Sequence, residues 1–553
     1  MSTDNNVLAH LKRLALEKPD NIAIYAPTKK KRLGQFIYTS HTYKNLNDQC
    51  NLLAKGLLAE GVNHGTKVVL MVTPSFAFFV LVFALFKVGA IPILIDPGMG
   101  LRSLKQCLKE TAPDAFIGSF KAHLARVILG WERGKLKHII TVGGKNLFCR
   151  NSLDDIKKKG DKSTRDEFSG RPASDTAAII FTSGSTGPPK GAVFTHQNFS
   201  AMIDALKNTY DLKNDEIDLC TFPLFGLIAP ALDMVSVIPV MDFTRPARVN
   251  PDHIFSTIEQ FEITNLFGSP ALIRRITKTG LRKKVKLKSL RRVISAGAPV
   301  PVKTLQEFSE LLKEETQVFT PYGATEALPV TSVGSHKIIK AALKPNGEGK
   351  GIFIGCPVEG IEVFIIKITD DPIDSWNNRL ILKNGEIGEV VVSGPQVTER
   401  YLNRDDANRL NKIRNLKTNQ VYHRMGDLAY QDKDGQIWFC GRKSQRIVTE
   451  METLFTIPLE TIFNNHPAVY RSALVGVTIG KTQKPVIIIE TEKSLGKKQQ
   501  KQLQNELLEL TLNYKICKAI KIILFYKNFP VDIRHNAKIN REKLGKWAAG
   551  KIL

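Results

Sequence analysis

The sequence predicts an α/β fold class: a large N-terminal domain of layered α/β subdomains plus a small β-rich subdomain, residues 1–443, followed by a small α+β C-terminal domain, residues 444–553. Three observations carry this prediction. Through most of the N-terminal domain, short apolar runs (KVVLMV, AIPILI, AAIIF, ITNLF, RRVISAG, QVFTPYG) alternate with amphipathic segments, the pattern of mostly parallel strands covered by helices. From Gly351 the texture shifts to glycine-punctuated, β-rich runs, GIFIGCPVEGIEVFIIKI and GEIGEVVVSG, which read as hairpins. After DKDGQIWFCGRKSQRIV (Asp432–Val448), HPAVYRSALVGV, KPVIIIETE, the helical KKQQKQLQNELLELTLNY and AIKIILFY form a compact α+β unit.

In chain order, the N-terminal MSTDNNVLAHLKRLALEKPDNIAIY mixes acidic and amphipathic residues without a long apolar core. It does not read as a signal peptide, and a cytoplasmic location is expected. VVLMVTPSFAFFVLVFALF (Val68–Phe86) is uncharged and long enough to span a bilayer. Pro74 and Ser75 divide it, however, so a buried strand followed by an apolar helix is expected. Seven scattered cysteines without a C-x-x-C pair signal neither a disulfide framework nor a zinc site.

TAAIIF (Thr176–Phe181) suits a buried strand, and a loop at a strand end is where α/β sheets bind ligands. That loop, FTSGSTGPPKGAVFTHQNF, brings glycines, hydroxyls and one lysine together, the parts that hold phosphate. It is not a P-loop: Lys190 precedes a glycine, and Pro188 and Pro189 remove backbone donors. The net charge of +26 is concentrated in places such as RRITKTGLRKKVKLKSLRR (Arg274–Arg292), ten basic residues and no acid. Attraction to an anionic membrane or an acidic partner is one reading and a solvated basic face the other. Nucleic acid is disfavoured, because aromatic residues do not interleave with the charges.

The loop has company. PYGATEALP (Pro321–Pro329), YHRMGDL (Tyr422–Leu428), DGQIWFCGR (Asp434–Arg442) and PVDIRHNAKINREKL (Pro530–Leu544) follow it in order. With TSGSTGPPKG, this set resembles the motifs of the adenylate-forming superfamily: acyl-CoA synthetases, luciferases and peptide-synthetase adenylation domains. The resemblance covers nearly the whole chain. It implies ATP and Mg²⁺ as cofactors, a fatty-acid substrate activated as acyl-AMP, and a C-terminal domain that acts as a mobile lid.

It also implies site residues. Thr182, Ser183, Gly184, Ser185, Thr186, Gly187 and Lys190 would wrap the phosphates, with Thr186 also near the metal. The Ala296, Gly297, Ala298 turn and Gly323 would line the nucleotide, Tyr322 would stack on adenine, and Asp427 would accept the ribose hydroxyls. Arg442 would meet ribose and phosphate, Thr325 would contact phosphate, and Glu326 would hold Mg²⁺. Lys538 would bridge the substrate carboxylate and the α-phosphate. Phe225, Gly226, Leu227 and Ala324 would line the acyl pocket.

IDPGMG, FPLFGLIAPAL, MDFTRPARVNP and YGATEALPV with RHNAKI resemble one branch, the olefin-biosynthesis β-lactone synthetases. In that branch the 3-hydroxyl of a 2-alkyl-3-hydroxy fatty acid attacks the adenylate and closes a lactone. A ketoreductase and a β-lactone decarboxylase are the partners the resemblance implies. Two departures from acyl-CoA synthetases agree with it: Ser444 stands at the hinge with no glycine until Gly476, and Gly226 replaces a histidine, which would widen an alkyl pocket. A long-chain acyl-CoA ligase is the alternative. His196, His423 and His535 lie in or beside motifs as candidates for a base, without a choice among them.

Overall fold

The computed structural model describes the chain except residues 1–6, 33–34, 133, 145–146, 165–167, 169–170, 183–187, 343–348, 481, 532–537 and 553, and except the side chains of 29–32, 97, 182 and 224. Two seven-stranded sheets form its larger part. The first runs Asn151–Ser152, His138–Val142, Ala115–Ser119, Lys67–Met71, Ile91–Leu94, Thr176–Thr182, Lys190–Thr195. All its neighbours are parallel except the last pair. The second runs Gln317–Phe319, Arg292–Ile294, Asn265–Phe267, Ile217–Leu219, Val235–Val237, Ile22–Arg32, Gln35–Thr42, again parallel up to one closing antiparallel pair. Parallel strands need cover on both faces, which is why their runs are apolar throughout.

The main core lies between these sheets. It takes Val68, Ile117 and Ile180 from the first and Ile24, Phe267 and Ile294 from the second. The helix Phe76–Val88 fills it: every residue from Phe78 to Val88 is buried, including Lys87, whose ammonium donates to Asn47 and Asn51. Ser75 caps its start and Gly89, in the left-handed region at φ 72°, ends it. The uncharged stretch is therefore strand plus core helix, as its Pro-Ser break predicts. No helix among the described residues is long and apolar enough to cross a membrane.

An eight-stranded antiparallel sheet follows, built from Tyr322–Ala324, Ala327–Ser332, Ile352–Pro357, Ile437–Arg442, Val421–Gln431, Gly388–Ser393 and Glu362–Ile366, with Lys412–Arg414 added beside Val421–Gln431. The expected hairpin in GIFIGCPVEGIEVFIIKI does not form. Ile352–Pro357 pairs with Ala327–Ser332 and Ile437–Arg442, while Glu362–Ile366 pairs with Gly388–Ser393. Glycine punctuation marks strand ends but does not choose partners. The C-terminal unit is a three-stranded sheet, Val469–Ile479, Thr482–Thr491 and Ile523–Phe525, packed with helices Thr456–Asn464, Lys497–Leu512 and Arg541–Ile552.

The basic run is not an open positive face. Arg274 stacks on Tyr470 of the C-terminal unit at 4.8 Å, Lys283 pairs with Asp252, Lys286 donates to the Glu310 carbonyl, Arg291 pairs with Asp215 and Arg292 with buried Glu216. With Arg275, whose Nε donates to the Val249 carbonyl, six of its ten charges are engaged within the molecule.

Candidate active site

The phosphate-loop candidate joins two antiparallel strands, with Thr182 opposite Lys190 as the closing pair. Sequence reading placed the loop at a strand end but not the return strand Lys190–Thr195. Ser183, Gly184, Ser185, Thr186 and Gly187 lie outside the described residues, as does the Thr182 side chain. Lys190 is half-buried, its Nζ lies 4.8 Å from the centre of the Tyr401 ring, and burial lowers its pKa while Glu326 opposes the shift.

Tyr322–Ala324 and Ala327–Ser332 form a hairpin whose tight turn is Thr325–Glu326. Gly323 is required there, since a Cβ would lie 2.6 Å from the Ala327 carbonyl oxygen. Glu326 is buried, and Tyr401 Oη donates to its Oε1 at 2.7 Å. The Thr398 amide donates to the Glu326 carbonyl at 2.8 Å. Lys412, also buried, donates to the Thr398 carbonyl and places its Nζ 5.3 Å from the Tyr401 ring centre. Burial brings the Lys412 pKa down to about 7. Tyr401 thus has the Nζ atoms of two lysines close to its ring while its hydroxyl holds a carboxylate.

A second cluster sits on the same sheet. Asp427 and Arg442 face each other across adjacent strands, and the guanidinium donates to Asp427 Oδ1 at 2.7 Å. Tyr322 Oη donates to the other oxygen, Oδ2, at 2.7 Å. Asp427 raises the Arg442 pKa, and burial, reinforced by Asp427, holds the Tyr322 phenol well above its usual range, so it stays a donor. The charge of Glu326 also helps raise the Arg442 pKa, after Asp427 and Tyr322. The turn after Arg292–Ile294 carries Ala296, Gly297 and Ala298, with Gly297 at φ 95°, a conformation that favours glycine.

Phe225, Gly226 and Leu227 lie on the helix Pro223–Ala231, and Phe225 stacks on Phe267 at 3.8 Å. Gly226 does not widen a pocket. A Cβ there would lie 2.1 Å from Cys220 Sγ and 3.3 Å from Phe79 Cζ, so the missing side chain is a packing requirement against the core. Ala324 is partly buried in the antiparallel sheet's own core. Lys538 is exposed on the C-terminal unit, next to Ile539, which bridges to Val531. His196 and His423 are buried, with pKa values lowered chiefly by burial, His196 to about 4; this suits packing rather than proton abstraction from a substrate. His535 lies outside the described residues.

Sequence reading missed Tyr401, Thr398 and Lys412. The only signal for them is the run VTERYLN, in which a tyrosine follows charged residues, and nothing marks Lys412 as buried.

Two parallel α/β layers, an antiparallel sheet carrying a paired acid and arginine, and a glycine-rich hairpin beside a buried glutamate define an adenylate-forming ligase. The chain belongs to the AMP-binding enzyme family, whose model matches residues 9–402. It is similar to the olefin beta-lactone synthetase of Xanthomonas campestris pv. campestris, 42% identical over 99% of this chain and 98% of that protein. The olefin beta-lactone synthetase of Stenotrophomonas maltophilia is 41% identical over 100% of this chain and 99% of its own length. Among solved structures, O-succinylbenzoate coenzyme A synthetase from Bacillus subtilis, in complex with ATP and magnesium ion, superimposes with a TM-score of 0.71, at 19% identity, over 97% of this chain and 98% of that one.

Proposed function

We propose that the enzyme uses ATP to activate a long-chain 2-alkyl-3-hydroxy fatty acid as its acyl adenylate and then closes that adenylate to a β-lactone. The observation that carries this reading is the identity of 41–42% with two olefin beta-lactone synthetases over essentially the full chain.

A carboxylate is a poor acyl donor, because its leaving group would be oxide. In the first half-reaction a substrate carboxylate oxygen forms a bond to the α-phosphorus, the bond from α-phosphorus to the bridging oxygen breaks, and pyrophosphate leaves. In the second, the substrate's own 3-hydroxyl oxygen bonds to the acyl carbon, AMP leaves with the former carboxylate oxygen, and the hydroxyl proton passes to a base. No thiol enters. Holding hydroxyl and acyl carbon together replaces a bimolecular encounter.

The residues fit these tasks. Asp427 presents a buried carboxylate to ribose hydroxyls, with Tyr322 and Arg442 already fixing both of its oxygens and the Tyr322 ring lying beside it for adenine. The hairpin closed by Thr182 and Lys190 receives the outgoing pyrophosphate, with Thr325 at the phosphate. Among the described residues no group of three His, Cys, Asp or Glu could hold a metal alone. That suits Mg²⁺, which takes one or two carboxylates and completes its shell from substrate phosphates and water. Glu326 is the carboxylate in reach, and Thr186, which lies outside the described residues, is the hydroxyl that the motif would add; bound there, Mg²⁺ would neutralise phosphate charge. Lys538 pairs the acid's carboxylate with the α-phosphate in the first half-reaction.

The test supplies ATP, Mg²⁺ and a 2-alkyl-3-hydroxy acid without coenzyme A. Lactone, AMP and pyrophosphate are expected, and strict dependence on coenzyme A with a thioester product would sink the reading. Lys538→Ala should lower acid-dependent pyrophosphate exchange by about 10²-fold or more, the size expected for losing one transition-state charge partner.

A further inference from the structure

The helix Phe120–Ile128 (FKAHLARVI) is amphipathic in reverse. Its inward side consists of the buried His123, which bonds the Ile140 carbonyl, and of Ala122 and Ala125 against the core of the first sheet. Its outward side carries Phe120 (52% exposed), Leu124 (37%), Val127 (47%) and Ile128 (71%), at helical spacings that place them on one face, with Lys121 exposed beside them. Leu147, fully exposed, adjoins it through Phe148: the Phe148 ring lies 5.9 Å from that of Phe120, and Arg126 of the helix donates to the Phe148 carbonyl. Five large apolar side chains open to water on one face go beyond the scattered single exposures that need no explanation.

Charge says what covers them. Between Asp114 and Asp154 the chain has seven basic residues, Lys121, Arg126, Arg133, Lys135, Lys137, Lys145 and Arg150, against one acid, Glu132; Lys135 pairs with Glu132 and Lys137 with Asp114, while Lys121 and Arg150 are exposed. An apolar helical face on a segment with a net basic excess and with Lys121 and Arg150 exposed is complementary to an anionic bilayer: acyl chains accept the hydrophobes and lipid phosphates the cations. The helix also starts at Ser119, the C-terminal end of a strand parallel, through its neighbours, to Thr176–Thr182, so Phe120 and the phosphate hairpin open on the same sheet edge.

We propose that the face formed by Phe120, Leu124, Val127, Ile128 and Leu147 docks the enzyme on the surface of an anionic lipid bilayer. This surface is distinct from the basic run Arg274–Arg292, most of whose charges are engaged elsewhere.

The test is co-sedimentation of the full chain with vesicles of phosphatidylcholine alone and of phosphatidylcholine with phosphatidylglycerol, with pyrophosphate exchange measured in parallel. Binding to the mixed vesicles is expected, at least ten-fold weaker on neutral ones, and falling at least ten-fold in Phe120→Ser/Val127→Ser/Ile128→Ser while exchange stays unchanged. Lys121→Glu/Arg150→Glu should lose preference for the anionic lipid without losing exchange. No binding by the wild type, or equal binding by the triple variant, overturns the proposal. So does concentration-dependent self-association that the triple variant abolishes without any vesicle binding, which would make the face a contact between two copies of the chain. Because exchange is read separately, failure of the docking proposal is distinguishable from failure of the proposed reaction.

Discussion

Burying a lysine ammonium is costly unless hydrogen bonds and nearby charge offset it; Lys412 has the Thr398 carbonyl as acceptor, the Tyr401 ring beside it and Glu326 as the opposing charge, and burial still brings its pKa down to about 7. Thr398 and Tyr401 are also the residues that hold Glu326, one by its carbonyl and the other by its carboxylate. Lys412 is therefore a positioning residue for the carboxylate proposed to meet Mg²⁺. Lys412→Met leaves the Thr398 carbonyl without its donor, at a cost of about 1–3 kcal/mol. It should also raise the Mg²⁺ concentration needed for half-maximal pyrophosphate exchange by about ten-fold, the usual consequence of removing an outer partner of a metal ligand. An exchange assay titrated with Mg²⁺ checks this; an unchanged midpoint would contradict the role. Asp427 shows the same logic: its acid character and its place in YHRMGDL were legible, whereas Arg442 as a donor follows only from strand register and Tyr322 only from the tertiary approach of a strand elsewhere in the same sheet.

At the scale of elements, Pro223–Ala231 shows two backbone effects in competition. Alanine in a helix is preferred over glycine by about 1 kcal/mol, so Gly226→Ala would stabilise an isolated helix. Here the added methyl would lie 2.1 Å from Cys220 Sγ, and overpacking of a tight core typically costs about 1–3 kcal/mol. The overpacking wins: Gly226→Ala should lower the urea midpoint, and Gly226→Ala/Cys220→Ala should recover most of the loss. Retention of full stability by the single variant would show that the helix can shift. The strands themselves were legible, since Lys67–Met71, Thr176–Thr182 and the C-terminal pair Val469–Ile479 and Thr482–Thr491 coincide with apolar runs. Partner choice was not. Local pattern shows that Ile352–Pro357 is a strand, but its pairing with Ile437–Arg442 is set by side chains some eighty residues away. The site was legible for the same reason to the extent that it lies in contiguous motifs, and hidden where Lys412 and Tyr401 reach it from other segments.

For the whole molecule, buried neutral histidines set an acid limit. His196 is held down to about 4 by burial, against 6.5 for a free imidazole, and packs edge-on to Phe86. The folded pKa is lowered, so between pH 6.5 and 4 the unfolded chain binds the proton and the folded one does not. Stability is full above 6.5 and declines as pH falls through this window, by at most roughly 3 kcal/mol for this one site. Urea unfolding at pH 7.5 and 5 should show the decline, and His196→Gln should make it shallower; an equal slope would assign it to other groups. A different consequence follows from where Arg442 stands. It is the last residue of its strand, and the chain turns immediately at Lys443–Gln445 toward the C-terminal unit. The proposed ribose, by competing for Asp427, would draw on a side chain at the exit of the chain, where Lys443 pairs with Glu389 and Arg446 with Asp370. By reciprocity of coupled equilibria, if nucleotide binding there weakened this ion pair, a reorientation of the C-terminal unit that did the same would alter nucleotide affinity by the same factor, and the pair would act as a clutch between occupancy and domain posture.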